Sequence, residues 1–191
     1  MPPRICEIAN PRDGAVGKLA PMRTLFVAVL VWLAAATVAF GMTPGEVEVG
    51  SVLREVQMQG LMGPTRKLSE YRGKPLIINV WASYCGPCRE EMGSLQRLAW
   101  RHGGQQFNII GISTDDYVDR AQTFLKITNT SGFSNFIDQK LVLENMLGAN
   151  RLPTTLLVDS KGKVLARIVG SRQWDSPESL GLISKAFGVR L

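Results

Sequence analysis

Residues 81–88 read Trp81-Ala82-Ser83-Tyr84-Cys85-Gly86-Pro87-Cys88, so two cysteines stand two residues apart with a glycine and a proline between them. Thiols at this spacing can close into a disulfide and open again, which is the chemistry of dithiol exchange. A structural zinc site would need two more Cys or His ligands, and the chain offers only Cys6 and His102. A purely structural disulfide here would close a very short loop and stabilise almost nothing. A redox-active pair is therefore the expectation, with soft-metal binding on the two thiolates the remaining use.

The elements around the pair favour that reading. Leu76-Ile77-Ile78-Asn79-Val80 before it is apolar and β-branched, and Arg89-Glu90-Glu91-Met92 after it are good helix formers. The cysteines thus fall where a strand ends and a helix begins. The free N–H groups and positive dipole end of that helix stabilise a thiolate at Cys85. Pro87 suits the first helical turn, where its missing N–H costs nothing.

The chain has 191 residues and a formal charge of +6. From Thr43 onward, 18 Lys and Arg face 14 Asp and Glu, a net +4 that is interspersed rather than clustered. This fits one globular domain with an ordinary surface and excludes a nucleic-acid footprint. Leu25 to Phe40 carries no charge and comes after Arg23. Two readings of residues 22–42 stay open, a cleaved signal peptide or an N-terminal membrane anchor. Either one exports the domain C-terminal to it. Residues 1–21, rich in Pro and Gly, read as unstructured or as a mis-assigned start ahead of Met22. Residues 43–50 read as a linker, and 51–191 as the domain.

Along that domain, Ser51 to Gln59 begins a hairpin arm, with a turn at Gly60 to Pro64 and a helical turn at Leu68 to Tyr71. Strands are expected over 75–81, 107–113, at Phe136-Ile137 and over 155–158. Helices are expected over 87–101, 117–127 (capped by Asp115 or Asp116) and 141–147 (ended by Gly148). Asp159 to Gly162 turns the chain into a hairpin strand over 164–169, and Ser176-Pro177 opens a last helix. Alternating strands and helices imply parallel pairing, and the hairpin adds an antiparallel edge. The fold class is α/β.

With these elements in place, the chain resembles the thioredoxin-fold family, and more narrowly the exported thiol-disulfide oxidoreductases of the TlpA and ResA type. The resemblance rests on residues 81–92, on Arg72-Gly73-Lys74-Pro75, and on Leu152-Pro153-Thr154. It implies a central mixed sheet flanked by helices, with a strand-helix insertion between Ser131 and Gly148. It also implies roles. Cys85 is the exposed nucleophile and Cys88 the buried resolving thiol. Pro153 is a cis-proline facing the sulfurs, succeeded by Thr154, and the backbone before it pairs with an extended substrate. Beside these, Trp81 is read as packing against the motif or shielding the sulfurs, and Tyr84 as lining the substrate groove or as an exposed ring; with Gly86 and Pro87 they complete the expected substrate-binding set. Asn79 stands where thioredoxin has a buried aspartate and cannot serve as a base near neutral pH. Glu91 is then either the substitute base for Cys88 or a solvated residue on the helix face. Gly93 stands where many relatives have a helix-bending proline.

The implied enzyme is a protein-disulfide reductase of the bacterial periplasm or the outer face of the cytoplasmic membrane. It needs no metal or organic cofactor beyond the Cys85–Cys88 disulfide. Its implied clients are exported protein disulfides, in apocytochrome c or in copper-delivery proteins, and its donor a membrane protein of the DsbD or CcdA type. Three other readings stay open: a disulfide-forming oxidant, a Cu(I)-binding module for oxidase assembly, and a peroxidase. Gly86-Pro87 resembles the spacer of thioredoxin, at about −270 mV, whereas the strong oxidant DsbA lies near about −120 mV.

Overall fold

The computed structural model describes residues 46–191. The expected readings of residues 1–21 and 22–42 lie outside them. Among the described residues no helix is long and apolar enough to cross a membrane.

Seven strands form one sheet in the order β2-β1-β5-β4-β3-β6-β7. They are β1 (Gln57–Gly60), β2 (Arg66–Lys67), β3 (Leu76–Trp81), β4 (Asn108–Ser113), β5 (Ser134–Ile137), β6 (Thr154–Val158) and β7 (Val164–Val169). At the centre β3, β4 and β5 run parallel, while β6 and β7 on one side and β1 and β2 on the other are antiparallel. Among the described residues four α-helices flank the sheet: α1 (Gly86–His102), α2 (Val118–Ile127), α3 (Val142–Leu147) and α4 (Pro177–Phe187). β5 and α3 are the expected insertion. α1 is continuous through Gly93.

Strand alternation sorts the core into two layers. Ile77 and Trp81 of β3 join Met92, Leu95 and Leu98 of α1, Phe124 and Leu125 of α2, and Ile183 of α4. Ile78 and Val80 face the other way, onto Leu143, Met146 and Leu147 of α3. Asn79 therefore points to the α1 side. Met92, Leu95 and Leu98 are fully buried; at about 1.5–3 kcal/mol each, they press α1 onto the sheet with roughly 5–9 kcal/mol. That burial fixes where the helix presents its first turn.

Two expectations need correction. Residues 46–50 are no free linker. Val47 is buried, its N–H donates to Met146 O at 2.9 Å, and Arg167 pairs with Glu46. α2 is not capped by an aspartate; Tyr117 holds the N-cap position without a side-chain bond. The Asp115 carboxylate is taken up by Ser83 and Ser113 instead.

Candidate active site

Cys85 is the N-cap of α1, with extended backbone, and Gly86 and Pro87 form the first helical positions. Its Sγ accepts the backbone N–H of Cys88 at 3.1 Å. One orphan donor of the helix start is thereby aimed at the sulfur, where it steadies a thiolate once the pair is reduced. The two cysteines are joined in a disulfide, with Cα atoms 5.2 Å apart. The two cysteines are not equivalent, since Cys85 keeps 9% exposure while Cys88 has none, but the nucleophile expected to be exposed is itself largely buried in the disulfide. Gly86 and Pro87 are exposed, and Tyr84 is 75% exposed, so these form the open rim beside Cys85.

The loop before Cys85 is stapled down by Asp115, which is buried. Its carboxylate accepts from Ser83 N at 3.0 Å, Ser83 Oγ at 2.6 Å and Ser113 Oγ at 2.7 Å. Below the loop Trp81 stacks on Phe124, with centroids 4.9 Å apart, and the Arg89 guanidinium lies over the same Phe124 ring, 5.6 Å from its centroid. Trp81 Nε1 donates to Asn135 Oδ1 at 3.1 Å. This bond passes where a side chain at position 111 would sit: a Cβ there would lie 2.0 Å from Asn135 Oδ1 and 2.8 Å from Trp81 Nε1, so Gly111 is required.

Glu91 lies one helical turn beyond Cys88 and is fully buried, which overturns the solvated reading. Asn79 Nδ2 donates to its Oε1 at 2.7 Å, and Trp174 Nε1 and Arg172 N donate to Oε2 at 3.0 and 3.2 Å. Burial pushes its carboxyl up to about 7, against the pull of these three donors. Asn79 Nδ2 also donates to Thr155 Oγ1 at 3.0 Å, leaving Asn79 Oδ1 without a partner.

Leu152–Pro153 is a cis peptide, and Leu152 packs against the apolar cluster holding both cysteines. Pro153 is buried and Arg151 exposed. Three members of the expected substrate-binding set, Trp81, Pro153 and Thr154, are buried. Trp81 and Thr154 have no exposure; the indole is spent on Phe124 and Asn135, and Thr154 Oγ1 donates to Arg151 O. Sequence reasoning missed the roles of Asp115 and Trp174. Trp174 had a signal, as one large aromatic in the polar run Ser171 to Ser176. As for metals, among the described residues no cluster of three or more His, Cys, Asp or Glu is gathered.

The geometry is that of a buried disulfide at a helix start on a mixed sheet, and the chain carrying it is similar to known proteins. A family model described as AhpC/TSA matches residues 49–167. The thiol-disulfide oxidoreductase ResA of Geobacillus thermodenitrificans is 30% identical over 125 residues, 65% of this chain and 71% of that protein. The thiol:disulfide interchange protein DsbE of Vibrio cholerae is 31% identical over 131 residues, 66% of this chain and 69% of its own length. A crystal structure assigned as a DsbE from Chlorobium tepidum superposes with a TM-score of 0.65 at 26% identity, covering 74% of this chain and 99% of that one. The chain belongs to the AhpC/TSA family of thioredoxin-like proteins. It is a thiol-disulfide oxidoreductase of the ResA and DsbE type.

Proposed function

We propose that the protein is a reductant of disulfides in exported client proteins, acting in the bacterial periplasm or on the outer face of the cytoplasmic membrane. The observation that carries the direction is the charge around the dithiol. The spacer Gly86-Pro87 brings no cation, and the buried ionisable group one turn away, Glu91, is an acid; the Cys88 N–H on Cys85 Sγ pulls the other way, toward a stabilised thiolate. A buried carboxylate disfavours a neighbouring thiolate and so favours the disulfide, which makes the dithiol a better electron donor.

In the proposed cycle the Cys85 thiolate attacks a client disulfide, forming a mixed disulfide and releasing one client thiolate. Glu91 takes the proton of Cys88. The Cys88 thiolate then attacks Cys85 Sγ, closing the Cys85–Cys88 disulfide and releasing the second client thiolate. Two electrons pass to the client, and no cofactor beyond the dithiol takes part. Tyr84, Gly86, Pro87 and the Arg151-Leu152-Pro153 segment are proposed as client contacts. The clients in view are apocytochrome c or copper-delivery proteins, and the proposed electron donor is a membrane protein of the DsbD or CcdA type.

The test is the reduction potential of residues 43–191, equilibrated in thiol buffers and read by thiol-labelling mass. The expected value lies below about −230 mV. A value near about −120 mV would reverse the direction of electron flow.

A further inference from the structure

The segment 170–176 between β7 and α4 has no regular structure beyond turns, yet it is tied to α1 at three successive turns of that helix. Glu91 Oε2 accepts from Arg172 N and Trp174 Nε1. Ser94 Oγ accepts from Trp174 N at 3.0 Å and donates to Glu91 O at 2.7 Å. Arg97 pairs with Asp175 at 2.6 Å. The spacing of three residues puts all of these on one stripe of α1. Trp174 is fully buried at the middle of the stripe.

An indole N–H only donates, and so does a backbone N–H. Both therefore serve an ionised Glu91 better than a protonated one. We propose that Trp174 is a positioning residue of the exchange reaction: its indole N–H holds the Glu91 carboxylate ionised and oriented to accept the Cys88 proton. This rests on the reading of Glu91 as the proton acceptor. The step it supports is transfer of the Cys88 S–H proton to Glu91, after which the thiolate forms the bond to Cys85 Sγ and the bond from Cys85 to the client sulfur breaks.

Among the described residues, Asn79 of β3, with Thr155 of β6 behind it, and Arg172 and Trp174 of the segment bond to Glu91, and Cys88 precedes it by three residues on the buried side of α1. The Arg172 guanidinium is turned to Glu178 at 3.0 Å, and Asp175 to Arg97. The pH response of the step therefore belongs to the Glu91–Cys88 pair.

The experiment tracks the second release of thionitrobenzoate when the reduced protein reacts with 5,5′-dithiobis(2-nitrobenzoate). That release reports attack of Cys88 on the Cys85 mixed disulfide. Trp174→Phe keeps the ring and removes the donor, so the carboxylate loses support and holds its proton to higher pH. The midpoint of the rate–pH profile should move up by about one unit. Ser94→Ala, which frees the Trp174 backbone, should move it the same way and serves where Trp174→Phe does not fold. Arg97→Ala loosens the segment at its outer contact and should leave the midpoint in place. Glu91→Gln should abolish the limb. An unmoved midpoint in Trp174→Phe and Ser94→Ala, with the limb lost in Glu91→Gln, would overturn the role of Trp174 and spare Glu91. A limb that survives Glu91→Gln would overturn both.

Discussion

Exchanging Glu91 for glutamine should make the oxidised protein more stable at alkaline pH. The carboxyl is raised from 4.5 to about 7 because burial penalises its charge. At about 1.4 kcal/mol per unit, ionising it inside the fold costs about 3 kcal/mol. The folded state binds this proton more tightly than the unfolded chain. Its contribution is thus fully present below the unfolded pKa of 4.5 and is lost as pH rises through about 7. Glu91→Gln removes that loss. The new amide oxygen can take the N–H groups of Trp174 and Arg172, and its NH2 can meet Asn79, whose Oδ1 is unpaired and becomes the acceptor if the Asn79 amide turns over. The variant should match the parent near pH 4 and exceed it by about 2–3 kcal/mol near pH 8.5. Urea unfolding of residues 43–191 of both proteins across this range, which leaves out Cys6 and keeps the Cys85–Cys88 disulfide intact so that no thiol titrates, measures the difference directly. A difference that stays constant with pH would refute the reasoning, since it would mean that Glu91 does not titrate between the two values.

The site sets two further outcomes. Cys88→Ala should leave clients trapped as mixed disulfides on Cys85, visible on non-reducing gels and lost with added thiol, because the sulfur that would release them is gone. Asp115→Ala strips the acceptor from Ser83 N, Ser83 Oγ and Ser113 Oγ. It should cost about 2–4 kcal/mol in unfolding and slow the first thionitrobenzoate release, whereas an unchanged rate would show that the loop before Cys85 holds its shape unaided.

Local features were the ones that could be read in the sequence. The dithiol, the N-cap and Pro87 lie within four residues, and the apolar run of β3 and the amphipathic stripe of α1 are each continuous, so the strand–turn–helix setting was legible. So were the hairpins and the final helix, whose turn and cap residues are neighbours in sequence. Even the burial of Glu91 was within reach, since Cys88, Glu91, Met92 and Leu95 fall at i, i+3, i+4 and i+7 of one face; a charged residue on an apolar stripe needs partners. Those partners were not legible. Trp174 is 83 residues from Glu91, and Asp115 is 32 residues from Ser83. An aspartate before a helix fits a cap as well as a clamp, and no local pattern distinguishes the two. Here the clamp prevails because Asp115 is buried where the donors of Ser83 and Ser113 converge on it, while Tyr117 begins α2 without it. The same competition buried Trp81 and Thr154: each lies next to a motif residue in sequence, but the alternation of a strand covered on both faces points it into the protein. The chemistry of this site is thus written in one short motif. The proton acceptor proposed for it is set by contacts between distant segments, which is why Trp174 and Asp115, rather than further residues of the motif, are where substitutions should tune the reaction.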